Sequence, residues 1–193
     1  VLRGGGAFAG TGTAGSTGTR IFCLSGRVER PGVYEVPFGV TLRELIEMAG
    51  GVAGGRALQA VLLGGAAGTF LRPDEIDLPL TLEDTRAAGA SLGSGVVMPF
   101  DDTVDLGDTV LRIAAFFRDE SCGQCVPCRV GTTQLWMLLD LITRGRATMA
   151  DLERLERLAG VVQRTSFCGL GQGAPNPIFS TLRYFRDEYL AHI

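Results

Sequence analysis

The sequence predicts an α+β chain: a sheet-forming unit over residues 20–101, a helical bundle over residues 102–193, and a Gly-rich tail over residues 1–19. Three observations predict it. Residues 20–100 carry short apolar runs of strand length, broken by Gly and Pro turns, around one capped helical stripe. From about residue 103 apolar residues recur at helical spacing through four successive segments. Four cysteines, Cys122, Cys125, Cys128 and Cys168, fall in the loops between those segments.

Residues 1–19 are rich in Gly, Thr, Ser and Ala and read as a linker or as the tail of a preceding domain. No Gly-Lys-Ser/Thr follows, so a phosphate loop is excluded. The chain starts at Val1 without an initiator methionine, so a fragment or a processed product is expected.

The alternation through Ile21–Val28 predicts a strand, Arg30-Pro31-Gly32 a turn, and residues 33–36 a second strand. Thr41 with Glu44 is a capping box for a helix whose apolar stripe is Leu42, Leu45, Ile46 and Ala49, stopped at Gly50-Gly51. Residues 60–63 and 94–99 add two strands. That order suits a β-grasp, or ubiquitin-like, unit.

In the second half, Thr103 or Asp105 is placed to cap a helix carrying Val104, Val110, Leu111, Ala114, Phe116 and Phe117. A second helix is expected from about Pro127 to Arg144, with Leu135, Leu138, Leu139 and Ile142 inward and Gly145 ending it. Thr148 with Asp151 opens a third, with Leu152, Leu155, Leu158, Val161 and Val162. Asn176 as N-cap and Pro177 as first residue open the last, holding Ile178, Leu182, Phe185 and Tyr189. Four helices with short connections read as a four-helix bundle. Trp136, Phe116, Phe117, Phe179 and Phe185 read as core rather than as cofactor contacts.

Bulk composition narrows the function. The net charge is −3, and all 18 basic residues are arginine. That argues against nucleic acid as the main partner and removes lysine chemistry. The single histidine, His192, excludes a Ser–His–Asp triad and a His-rich metal site. No run of eighteen or more apolar residues predicts a membrane span.

Five cysteines, three within seven positions, suit a metal site better than disulfides. Their spacing, C-x2-C-x2-C-x39-C, lets three thiolates from one tight loop meet one face of a cubane while the distant fourth takes the remaining iron. Zinc sites usually come as two separated pairs, and zinc stands as the rival. Gly123 and Gly131 are read as allowing close backbone approach. The amides near Gly123, Gln124 and Arg129 are read as donors to cluster sulfurs, and Arg129 and Arg164 either as nearby positive charge or as solvated helix residues. Cys23, on an apolar strand, reads as a buried small hydrophobe. Nothing in residues 20–100 supplies a convergent polar set for a small ligand.

The segment Glu120-Ser121-Cys122-Gly123-Gln124-Cys125-Val126-Pro127-Cys128-Arg129-Val130-Gly131 resembles the signature of the flavin-bearing, NADH-binding subunit of respiratory complex I. Matching subunits occur in NAD-dependent formate dehydrogenases and in NAD-reducing and electron-bifurcating hydrogenases. Thr165-Ser166-Phe167-Cys168-Gly169-Leu170-Gly171-Gln172, Tyr184-Phe185-Arg186-Asp187-Glu188-Tyr189 and Ser25-Gly26-Arg27-Val28-Glu29-Arg30-Pro31-Gly32 fit the same family. Cys168–Gln172 followed by Ala174-Pro175-Asn176-Pro177 looks more like the formate dehydrogenase and hydrogenase branches than like many complex I subunits.

The resemblance implies a soluble-ligand-binding (SLBB-type) β-grasp domain and one [4Fe–4S] cluster on Cys122, Cys125, Cys128 and Cys168. That cluster would take electrons singly from FMN and pass them to a thioredoxin-like [2Fe–2S] subunit and a large iron–sulfur subunit. The family's FMN and NAD(H) contacts belong to an upstream Rossmann-like domain. Gly4-Gly5-Gly6-Ala7-Phe8 resembles the end of that domain, and no glycine-rich nucleotide fingerprint follows here. The chain alone is therefore expected to pass electrons without oxidising NADH, within a cytoplasmic complex that can sit at a membrane through other subunits. The alternative is a structural docking module with a structural metal.

Overall fold

The computed structural model describes Leu2 and residues 4–193; the parts of the N-terminal reading that fall on Val1 and Arg3 lie outside the described residues. The chain forms two compact units, one ending at Thr103 and the other starting at Val104.

The first unit opens with a short helix, α1 (Gly5–Ala9). Strands β1 (Thr19–Leu24) and β2 (Gly32–Pro37) form a hairpin, followed by α2 (Leu42–Met48). Then come a 3-10 turn (Ala53–Gly55), β3 (Leu58–Leu63), β4 (Thr69–Leu71), a second 3-10 turn (Pro73–Glu75), α3 (Leu82–Ala87) and β5 (Val96–Asp101). The sheet order is β2-β1-β5-β3-β4, with β1 and β5 parallel and the other pairs antiparallel. This is the mixed β-grasp sheet expected from the element order, with β4 and α3 in addition.

Helix α2 starts where its cap requires. Glu44 N–H donates to Thr41 Oγ1 at 3.2 Å, and Thr41 N–H donates back to the Glu44 carboxylate at 2.8 Å. Its inward residues Leu42, Leu45, Ile46 and Ala49 are buried with Phe22 and Leu24 of β1, Val36 of β2, Val61 and Leu63 of β3 and Val97 of β5. Each fully buried aliphatic side chain contributes about 1.5–3 kcal/mol, so this layer is the unit's main stabilising element. Strand β3 is buried on both faces, and Phe70 and Phe100 stack at 5.7 Å.

The segment read as a tail is tied down near its end. Ser16 is buried, its hydroxyl donates to Glu83 at 2.6 Å, and it accepts Leu82 N–H at 2.9 Å. Cys23 departs from expectation. On β1, Phe22 and Leu24 take the inward positions, and strand alternation puts Cys23 on the outer face, where it is exposed.

The second unit contains α4 (Leu106–Asp119), α5 (Val126–Thr143), α6 (Met149–Thr165), α7 (Gly169–Gly173), α8 (Asn176–Tyr184) and α9 (Arg186–Leu190). The four longer helices close a ring: α4 packs on α5, α5 on α6, α6 on α8, and α8 on α4. Asp105, not Thr103, is the N-cap of α4, accepting Asp108 N–H at 3.0 Å. Gly145, with φ +63°, follows the end of α5 in the left-handed region that only glycine enters freely. Leu135, Leu138, Leu139 and Ile142 are buried as expected.

Four details differ. On α6 the inward stripe is Leu152, Leu155, Ala159 and Val162. Val161, one position off that seven-residue repeat, is 46% exposed. Asn176 is the first residue of α8 rather than its cap, because its side-chain oxygen accepts the Gln163 amide at 3.0 Å. The expected last helix breaks at Phe185 (φ −129°), and the turn brings the Tyr189 hydroxyl within 2.6 Å of Thr181 Oγ1. Phe117 is core, whereas Phe116 is 47% exposed. Among the described residues no helix is long and apolar enough to cross a membrane.

Candidate iron–sulfur site

The four cysteines occupy two loops at one end of the helical unit. Cys122 lies in the α4–α5 loop, Cys125 is the N-cap of α5, Cys128 sits in its first turn, and Cys168 is the N-cap of α7. Cys125 and Cys128 are buried, while Cys122 and Cys168 are exposed. The first turn of α5 has backbone N–H groups without helical acceptors, an environment that favours thiolate over thiol.

The backbone N–H groups of Phe167, the residue before Cys168, and of Cys128 hold the Cys125 thiol below its ordinary pKa, against the opposing effect of burial. Cys128 is joined to the first loop by Ser121, whose Oγ is 3.3 Å from its sulfur. It is joined to α7 by packing: a Cβ added to Gly171 would sit 3.0 Å from Cys128 Cβ and 2.4 Å from Ser166 Oγ.

The glycines divide by role. Gly123 has φ +79° with no atom closer than 3.9 Å to an added Cβ, so it serves the turn rather than close approach. Gly131 does serve close approach, because a Cβ there would meet Val162 Cγ2 at 2.3 Å. Gly123 N–H donates to Ser121 Oγ at 3.4 Å and Arg129 N–H to Cys125 O at 3.0 Å. The Arg129 guanidinium clamps the loop by donating to Gly123 O at 2.6 Å. Arg164 is exposed, with its guanidinium beside Gly160.

Ser121, Phe167 and Gly171 escape a reading by ligand type, because none is a metal donor. The one available signal was their position close beside Cys122 and Cys168.

Among the described residues no group of three or more His, Cys, Asp or Glu side chains is gathered in a geometry that holds a metal ion. The residues present nonetheless fit an iron–sulfur cluster by donor chemistry: four cysteines on two segments that pack together through Gly171, two of them buried at the start of α5. On the first unit, a shallow pocket of about 340 Å³ is lined in part by Arg43, Ile46, Gly50, Arg56 and Leu58. Arg43 pairs with Asp77 at 2.6 Å, and Arg56 lies within 4 Å of Asp101 and Asp102.

A β-grasp unit followed by helices that carry four cysteines on two adjoining loops defines a class of iron–sulfur-binding proteins. Residues 108–192 match the family described as the NADH-ubiquinone oxidoreductase-F iron-sulfur binding region, and residues 21–66 match the SLBB domain. The HndC subunit of the NADP-reducing hydrogenase of Solidesulfovibrio fructosivorans is 41% identical over 198 residues, covering 100% of this chain and 40% of that protein. The F subunit of the NADH-quinone oxidoreductase of Streptomyces coelicolor is 42% identical over 186 residues, covering 96% of this chain and 41% of that protein. Among solved structures, an NAD+-reducing [NiFe]-hydrogenase in the H2-reduced state matches with a TM-score of 0.88 and 36% identity, over 97% of this chain and 32% of that one.

The chain belongs to the family of the NADH-quinone oxidoreductase F subunits and their hydrogenase counterparts, and corresponds to its SLBB and [4Fe–4S]-binding region. It spans less than half the length of these relatives.

Proposed function

We propose that the chain is a one-electron relay in which Cys122, Cys125, Cys128 and Cys168 hold a single [4Fe–4S] cluster. When bound, the cluster supplies reversible one-electron storage. The chain's own residues fix the ligands, shield two of them from water and leave two at the surface. The observation that carries the reading is the close packing of Gly171, in the helix that Cys168 caps, against Cys128 and Ser166, which brings the loop of the fourth cysteine to the three-cysteine segment.

The electron donor is FMN reduced by NAD(H) in a part of the parent protein outside these residues. The acceptors are iron–sulfur centres of partner subunits, a thioredoxin-like [2Fe–2S] subunit and a large iron–sulfur subunit. The parent is an NAD(H)-dependent oxidoreductase of the hydrogenase, formate dehydrogenase or complex I kind, working on the cytoplasmic side. Similarity to HndC and to the NAD+-reducing hydrogenase supports the hydrogenase kind, and similarity to the F subunits supports complex I.

Anaerobic reconstitution with iron and sulfide tests the relay. About four irons per chain and a reducible [4Fe–4S] spectrum are expected. Stoichiometric zinc without such a spectrum would show a structural metal instead. Cys168→Ser should lose electron transfer while keeping the helical unit folded.

A further inference from the structure

The three-residue stretch from Ser121 to Gly123 holds more than a ligand. Gly123 N–H donates to Ser121 Oγ at 3.4 Å, and Ser121 Oγ lies 3.3 Å from Cys128 Sγ. The Arg129 guanidinium holds the Gly123 carbonyl at 2.6 Å, keeping this turn against the start of α5. In the thiol form either the hydroxyl or the thiol can donate between Ser121 and Cys128. A metal-bound cysteine has lost its proton, so only the hydroxyl is left to donate. With a lone pair of Oγ facing Gly123 N–H, the hydroxyl hydrogen is free to turn toward the sulfur.

We infer that Ser121 is a positioning residue for the relay, a hydroxyl donor to the Cys128 thiolate that raises the reduction potential of the bound cluster. The inference rests on the reading proposed above. The physics is direct: the reduced cluster carries one more negative charge, part of it on the ligand sulfurs, and a donor to sulfur stabilises that state more than the oxidised one. The Cys128 sulfur has a side-chain partner, Ser121, which makes it adjustable by substitution.

The experiment is an EPR-monitored redox titration of the reconstituted 193-residue chain, wild type against Ser121→Ala and Ser121→Thr. Dithionite supplies the single electron per cluster. Ser121→Ala should load the same iron and titrate at a lower potential, with the reduced-to-oxidised ratio at a fixed applied potential falling roughly tenfold. Ser121→Thr, which keeps the hydroxyl, should restore the wild-type value. Equal potentials for all three loaded proteins overturn the inference and leave the relay standing. A wild-type chain that takes up no cluster overturns the relay, and the inference with it. Should Ser121→Ala fail to load, a structure of the loaded wild type decides. Ser121 Oγ within hydrogen-bonding reach of Cys128 Sγ supports the inference, and a hydroxyl turned away overturns it.

Discussion

The two units hide most of their polar groups in different ways. In the β-grasp unit the buried polar side chains sit mostly at element ends, with Thr85 inside α3 the exception, donating to Thr81 O at 2.6 Å. Thr81 caps α3 by accepting Asp84 N–H, Ser16 joins Leu82 and Glu83, and Asp101 closes β5 against Thr103. In the helical unit the buried hydroxyls lie within helices or at their last turn. Thr132, Ser166 and Thr181 each donate to a carbonyl one turn back, at 2.7 Å. The first unit can therefore devote an uninterrupted apolar layer to stability. The second settles its polar groups locally and leaves the meeting point of two loops for sulfur chemistry. Ligand sites of this kind arise where helix ends converge, because that is where unpaired N–H groups remain.

The contrast can be broken by substitution, and the largest effect is expected in the sheet. Phe22→Ala removes a fully buried ring and should cost about 3–5 kcal/mol by chemical denaturation. Trp136, the single tryptophan, belongs to the helical unit, so its fluorescence transition should stay in place. A shift of both transitions together would show that the units are coupled.

Gly171→Ala should come next, at about 1–3 kcal/mol, because the new methyl must displace Ser166 and Cys128. Here the Trp136 transition should move, and iron uptake should fall with it. Unchanged uptake would mean that α7 does not shape the site.

Acid should separate the units further. Four carboxylates of the first unit are held below their usual range: Glu44, Asp77, Glu83 and Asp101. In the second unit Asp119 and Asp151 are. For buried Asp101 the leading cause is the hydrogen bond from Thr103, with Arg27 and Arg56 adding to it. Such a group stabilises the fold above its unfolded pKa of about 4, and that contribution is lost as pH falls through the lower folded value. Below about pH 4 the first unit should weaken first, and Asp101→Asn should flatten its pH dependence in circular dichroism melts.

The smallest effect is at the caps. Thr41→Ala and Thr148→Ala should each cost about 1 kcal/mol, each in its own unit, by the same denaturation measurement.

Much of this architecture was legible in sequence because the signals were local. The capping boxes at Thr41 and Thr148, the stop at Gly145 and the inward leucines of α5 depend only on near neighbours. What escaped was set by tertiary geometry. β4 is three residues long, too short for alternation to register, and α3 shows little apolar stripe. Cys23 looked internal because both faces of β1 carry apolar residues, and only pairing decides which face is covered. At the site the cysteines were readable from spacing. Their supporting donors, Ser121 and the Phe167 amide, were not, because a hydroxyl and a backbone N–H carry no spacing rule of their own.

The strand order also bears on how the chain is made. β5 is the last strand of its unit to be synthesised, yet it lies between β1 and β3 at the centre of the sheet. Until residues 96–101 are available, both neighbours keep an unpaired edge open to other chains. The β1–β5 pairing joins Cys23 to Val96, far apart in the chain, whereas the helical unit is built largely from contacts between successive helices. The sheet should therefore close late and slowly for its size, and a ribosome stalled before β5 would expose an aggregation-prone template.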